Sequence, residues 1–462
     1  MHLTKISISN YRCFDSLEID FDRHLTVLVA PNGQGKTTVL DALRVAVWPF
    51  VKGFDLGSQT GKGATIQIPD VRLAKLKGGN MEPQVPSRIE AVGAWDAPET
   101  RQWVQTRERV KRGTNTSGDA PTKELTRWAG SLERRARGGD PEVILPLVTY
   151  LGTSRLWFQG RFTSNAKEVS LGNEDYSRTS GYLNCLSYSS SFPAFKEWYG
   201  WVYRSYREEQ IQTLESNGAL SEEGERFKKI IAVIKDAVDA LVEDATGWHD
   251  LEYSSSQNQQ LIMRHGEFGT IPVDMLSDGM RNAIAMVADL AFRMAKLNPH
   301  LGKEARQTPG IALIDEVDMF LHPSWQQRIL PSLRKAFPNV QFIVSTHSPQ
   351  VLTTVGRDNI RLLGQRLDGT WHAPKPEQEI IGVESAVALN DIMHVNPIPP
   401  VEEADWLAKY TVMIESGSHE SNEGKELRRI LERVYGPRHP LILDVDRLIR
   451  FQAMKLKNRS GE

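Results

Sequence analysis

The octapeptide Ala30-Pro-Asn-Gly-Gln-Gly-Lys-Thr37 constrains this chain more than any other stretch. It follows an apolar run, Leu25-Thr-Val-Leu-Val29, and precedes a helix-like segment from Thr37 to Trp48. A strand, a glycine-rich turn and a helix start, in that order, aim successive backbone N–H groups at one point, where a phosphate fits. Gly33 and Gly35 let the backbone come close. Lys36 adds a positive charge for the β/γ-phosphates, and the Thr37 hydroxyl suits Mg²⁺. Asn32 and Thr38 complete the expected ATP-contacting set around them. The usual pattern is GxxxxGK[ST]; here Ala30 stands at the first glycine, one methyl group larger. Alone, a chance Gly-Lys-Thr after an apolar strand would read the same way.

Three further blocks remove that ambiguity. Gly310-Ile-Ala-Leu-Ile-Asp-Glu316 is an apolar run ending in two carboxylates, the pattern of a buried parallel strand with acids at its C-terminal edge. Open α/β sheets bind ligands at that edge. Asp315 is expected to hold Mg²⁺ through water and Glu316 to act as general base on the attacking water. Gln341-Phe-Ile-Val-Ser-Thr-His-Ser-Pro349 is a second such strand, ending at His347, a candidate for the γ-phosphate and the attacking water. Met275-Leu-Ser-Asp-Gly-Met280 precedes a helix-like run from Arg281 to Met294, which puts Ser277 and Gly279 at a helix N-terminus, an anion site.

Composition bounds the rest. The 462 residues are 40% hydrophobic and 25% charged, with a net charge of -2, so overall charge does not announce a nucleic-acid binder. Two cysteines make neither a metal framework nor a disulfide scaffold, and no apolar run is long enough to cross a bilayer; a cytoplasmic protein without a membrane contact is expected. An arginine-rich stretch holds Arg107, Arg109, Lys111, Arg112, Arg127, Arg134, Arg135 and Arg137. It reads either as a solvated loop and helix face or as a surface for a phosphate backbone. Phe227, Ile230, Ile231, Ile234, Val238 and Leu241 share one helical face after a Ser221-Glu-Glu start, and no heptad continues far enough for a coiled-coil arm.

Together the blocks resemble the ATPase heads of the SMC, RecF and OLD-like group within the ATP-binding-cassette superfamily. Met275–Met280 is similar to the LSGGQ-type signature, which in that superfamily reaches the γ-phosphate on the opposite subunit. Asn10-Tyr-Arg-Cys-Phe14 resembles the first-strand motif, whose arginine, here Arg12, lies near the nucleotide. Leu321-His-Pro-Ser-Trp325 resembles the D-loop region and implies that Asp318 and His322 face a dimer seam. The Q-loop glutamine is either Gln67 or Gln159. The resemblance implies an α/β fold: an ABC-type, RecF/SMC-like P-loop ATPase head with a helical insertion and a mainly helical C-terminal region. Its parts are expected at residues 1–50, 51–270, 271–375 and 376–462, the last a partner-binding region.

Tyr150-Leu-Gly-Thr-Ser-Arg-Leu-Trp157, Ile314-Asp-Glu-Val-Asp318, Leu321–Gln326 and Tyr435-Gly-Pro-Arg-His-Pro440 resemble the PtuA branch, the ATPases of Septu-type and retron-linked antiphage systems. Membership would imply an ATP- and Mg²⁺-dependent homodimer or higher even-numbered oligomer that regulates a separate HNH endonuclease of the PtuB kind. Nucleic acid would then be reached through the complex, with no nuclease in this chain. Two alternatives stay open. One is a RecF-like repair ATPase that clamps DNA through Arg101–Arg137. The other is an OLD-like nuclease, with Glu415, Asp444 and Asp446 as a TOPRIM-type carboxylate set.

Overall fold

The computed structural model describes residues 1–58, 63–76, 78–96, 98–156, 177–188, 192–216, 218–256 and 259–460. They form two compact units, Met1–Ala388 and Leu389–Glu462. Among the described residues no helix is long and apolar enough to cross a membrane.

The first unit is built on a five-stranded parallel sheet. Its strands run side by side in the order Ile360–Leu362, Leu25–Val29, Val340–Ser345, Gly310–Ile314 and Leu147–Leu151. The three central strands have every residue buried, which is why they read as unbroken apolar runs instead of alternating ones. Register decides what this sheet can do. Leu28 pairs with Ser345, and Val344 pairs with Ile314. The residues that follow these strands, Ala30, His347 and Asp315, therefore leave the sheet at one level of one edge.

A second, antiparallel sheet orders Phe14–Asp20, His2–Tyr11, Ser87–Ala94, Arg101–Arg107 and Ser117–Gly118. Two pieces of the segment expected as an insertion are thus strands of these sheets: Ser87–Arg107 in the antiparallel one and Leu147–Leu151 at the edge of the parallel one.

The helix Lys36–Lys52 contacts both sheets and buries fourteen of its seventeen residues. Pro49 inside it has no N–H and cannot bond the Val45 carbonyl four residues back. The antiparallel sheet fills that gap: the Gln105 amide donates to the Val45 carbonyl, and Trp103 Nε1 donates to the Ala46 carbonyl at 2.8 Å. Trp103 is fully buried, and truncating such a side chain costs roughly 3–5 kcal/mol.

The helix Glu222–Thr246 starts at Ser221, whose hydroxyl accepts from Gly224 N at 3.0 Å. Its Phe227–Leu241 stripe is buried, and the helix packs on Asp278–Leu297, so the stripe is core. A three-stranded meander, Trp248–Ser254, Gln260–His265 and Gly269–Pro272, delivers the chain to the start of Asp278–Leu297.

The second unit contains the helices Glu402–Glu415, Asn422–Tyr435 and Pro440–Ser460 around Tyr410, Ile414, Leu427, Leu431, Ile442 and Val445. Glu415 ends the first of these helices, while Asp444 and Asp446 lie in the first two turns of the third. Asp444 pairs with Arg447 and Asp446 with Arg428, so these carboxylates serve as helix-surface ion-pair partners.

Candidate functional site

The loop after Leu25–Val29 turns through two glycines with left-handed backbone, Gly33 at φ 78° and Gly35 at φ 87°. Gly35 has a second reason to be glycine: a Cβ there would lie 2.5 Å from Phe14 Cζ and 3.0 Å from Cys13 Sγ. The turn between the first two strands therefore presses directly against the loop. A Cβ at Gly33 would meet nothing within 4 Å, so that side of the cradle is open. Lys36 is buried and donates from Nζ to the carbonyls of Ala30 at 2.7 Å and Pro31 at 3.2 Å. Burial lowers its pKa, opposed by the nearby Asp315, Glu316 and Asp318 carboxylates.

Across the sheet edge a chain of hydroxyls and carboxylates joins three strands. Thr37 Oγ1 donates to Asp315 Oδ2 at 2.9 Å. Ser345 Oγ donates to Asp315 Oδ1 at 2.5 Å and accepts from Glu316 N at 2.8 Å. Thr346 Oγ1 donates to Asp318 Oδ1 at 2.5 Å. Glu316 has φ 48°, a conformation uncommon for a residue with a side chain, and the Ser345 contact holds it there. His347 is half-buried. Burial, then the Lys36 charge, lowers its pKa below the ordinary 6.5, which keeps the ring neutral near pH 7. Glu316, Asp318 and Asp315 pull the other way, which places His347 in the same electrostatic neighbourhood as the acids.

Lys36, Thr37, Asp315, Glu316 and His347 thus converge, with Gly33, Gly35 and Thr38 on the same loop and helix start and Asn32 exposed at the loop surface. Arg12 joins them from the side. It has φ 48° and donates to Asp41 at 2.5 Å and to Asp70 at 2.9 Å. Asp41 lies one turn along the helix that Lys36 begins, and Arg44 and Tyr188 also bond it, both at 2.7 Å. Gln67 forms a capping box with the same Asp70. Gln159 and Trp157 lie outside the described residues.

Ser277 and Gly279 occupy a different place. Ser277 caps the helix Asp278–Leu297, its hydroxyl accepting from Met280 N at 3.4 Å. Gly279 lies against the segment that follows the acids: a Cβ there would sit 2.4 Å from the Phe320 carbonyl oxygen. Asn282 Nδ2 reinforces the contact by donating to Met319 O at 2.7 Å. Asp318 therefore has a partner within its own chain, and His322 caps the short helix Pro323–Gln326.

Sequence reasoning passed over Ser345, Thr346 and the Asp41–Arg44–Tyr188 cluster. A signal was present for the first two. A hydroxyl pair closing an apolar strand must find partners once buried, and the acids after the neighbouring strand stand at that level.

The AAA domain family model matches residues 5–259, and the AAA ATPase domain model matches residues 188–352. The chain is 26% identical over 483 residues to the retron Ec83 probable ATPase of Escherichia coli, covering 95% of this chain and 84% of that protein. It is 26% identical over 464 residues to the retron Vc95 probable ATPase of Vibrio cholerae serotype O1 biovar El Tor, covering 93% and 86%. It is 20% identical over 370 residues to the Septu protein PtuA of Bacillus thuringiensis, covering 78% and 76%.

Proposed function

The chain belongs to the AAA-domain family, and from that premise we propose that it is an ATP-hydrolysing subunit of an antiphage defence complex, regulating a separate nuclease. The observation that carries the ATPase half is the hydrogen-bonded path Thr37–Asp315–Ser345–Glu316, which links the phosphate loop to the acidic strand at 2.9, 2.5 and 2.8 Å. The loop amides and Lys36 bind the phosphates. Thr37 and Asp315 offer two hard oxygen donors in mutual contact, the set that suits Mg²⁺, which would neutralise phosphate charge there. Glu316 takes the proton of the attacking water, and neutral His347 orients that water or the γ-phosphate. The Ser277/Gly279 end serves the nucleotide of a second copy, so that nucleotide state becomes assembly state.

Likeness to retron ATPases across most of the chain and to PtuA across three quarters of it supports the defence reading. On that reading the partner is an HNH endonuclease, held by the C-terminal region.

The test is tagged purification from the native locus, followed by native mass spectrometry and a phosphate-release assay. Mg²⁺-dependent turnover, an even-numbered core that forms with ATP, and a co-purified HNH protein are expected. Lys36→Ala should weaken nucleotide binding by roughly tenfold to a hundredfold, the worth of a charge-assisted hydrogen bond. Unchanged binding in that variant would sink the ATPase half, and repeated recovery of the ATPase without any nuclease would sink the partner half.

A further inference from the structure

Residues 107–137 carry nine Lys or Arg against four Asp or Glu, in a chain whose net charge is -2. The structure separates these cations into two sets. Arg107 is buried and donates to the carbonyls of Ile66 and Thr114, both at 3.0 Å. Arg135 pairs with Asp140, and Arg137 with Asp55 and Glu133. Those three are structural. Arg109, Lys111, Arg112, Lys123, Arg127 and Arg134 are exposed, and none has an ion-pair partner among the described residues.

Their placement is ordered. The helix Ala120–Arg137 buries Thr122, Leu125, Ala129 and Leu132. At 3.6 residues per turn, Lys123, Arg127 and Arg134 fall within about 40° of one another on the opposite face, over a length of about 16 Å. Glu124, a quarter turn away, is exposed as well. The other three cations sit in the loop that leaves the strand Arg101–Arg107. The strand Ser117–Gly118 returns from that loop to pair with Gln105 and Thr106, and the helix begins two residues later. Loop and helix face thus start from the same end of one strand.

We propose that this helix face and loop bind the phosphodiester backbone of a nucleic acid, so that the chain contacts nucleic acid directly and not only through a partner. A row of unpaired cations about 16 Å long matches the axial rise of roughly five base pairs of a duplex, at about 3.4 Å each. An acidic protein partner fits less well. Protein interfaces place apolar and aromatic anchors at their centre, and none of the exposed large hydrophobic side chains lies between residues 107 and 137. Recognition here is by charge, so it is insensitive to sequence and steeply dependent on salt.

The test measures binding of the full chain to a fluorescent DNA duplex, an RNA duplex and polyglutamate, over a salt series. The variants are Arg127→Glu/Arg134→Glu and, as an internal control, Arg135→Glu, whose native role is the pair with Asp140. The wild type should bind at least one duplex, with affinity falling as salt rises. The double variant should lose about tenfold or more, with the salt slope reduced by about two, while Arg135→Glu changes binding less. ATP affinity serves as the folding control and should be equal in all of them. The proposal is overturned if no duplex binds, if the double variant binds as the wild type does, or if polyglutamate competes as well as the duplexes.

Discussion

The two halves of the candidate nucleotide site are built in opposite ways. Where the phosphate loop meets the acidic strands, the polar groups have partners within the chain: Lys36 on loop carbonyls, Asp315 between Thr37 and Ser345, Asp318 on Thr346. The Ser277/Gly279 end is open. Ser277 is exposed, and the neighbouring Met275 and Phe320 show 73% and 53% of their surfaces. Phe320 does so with φ 63°, a strained conformation for an aromatic residue. A buried, self-satisfied arrangement can hold a ligand by itself. Met275 and Phe320 give this helix N-terminus an exposed apolar rim. The proposed function assigns binding and chemistry to the first half and assembly to the second.

The contrast makes its largest claim at Glu316. Glu316→Gln keeps shape and hydrogen bonding but removes the proton acceptor, so turnover should fall by roughly 10²–10⁴-fold, the usual worth of a general base. ATP binding should survive, with the ATP-bound assembly accumulating. Normal steady-state turnover in this variant would break the assignment of chemistry to the first half. Gly279→Ala probes the second half. The added methyl meets the Phe320 carbonyl oxygen, so the helix start and the segment 316–321 must separate. A shift of about 1–3 kcal/mol in closure corresponds to about 5–150-fold in ATP-dependent self-association. Nucleotide affinity of a single copy, read by calorimetry at low protein concentration, should stay within about twofold. If affinity fell as far as association, the halves would not be separable.

Ser345→Ala is the finer cut within the first half. It takes one hydroxyl partner from Asp315 and the Ser345 acceptor from the Glu316 amide, at a cost of about 1–3 kcal/mol. The expected result is about tenfold slower turnover with a raised Mg²⁺ requirement and unchanged ATP affinity. A loss confined to thermal stability would make Ser345 a core residue only.

What the sequence disclosed follows the same division. The phosphate loop, the acidic strand and the His347 strand are legible because each is local: an apolar run and the residues at its end. That Thr37 would meet Asp315 was not legible, because the contact joins residues 278 apart and depends on how the strands are ordered in the sheet. The Arg12 neighbourhood failed for a similar reason. Asp41, Asp70 and Tyr188 are unremarkable where they stand and become a cluster only when the turn Tyr11–Phe14 lands against Gly35. The antiparallel sheet was hidden differently. Ser87–Arg107 is rich in polar and small residues and reads as surface, although Gln105 and Arg107 are buried and bonded to main-chain carbonyls. In the arginine-rich stretch, composition could not tell structural arginines from free ones; partners in space decide that.

The smallest expected effect concerns pH. Burial and the Lys36 charge depress the His347 pKa, so the neutral form is favoured in the folded state. The sign follows from proton counting. Above the unfolded value of 6.5 both states hold the ring neutral; as pH falls below it, the unfolded chain takes up the proton first, and stability drops until the folded ring also titrates. Between pH 6.5 and about 8 neither stability nor turnover should change through His347 by more than about twofold, since a neutral ring is already in place. Below pH 6.5 turnover should decline along an acid limb that is absent in His347→Gln. That substitution keeps a hydrogen-bonding side chain of similar reach without a group that titrates there. An acid limb identical in both proteins would assign it to another group.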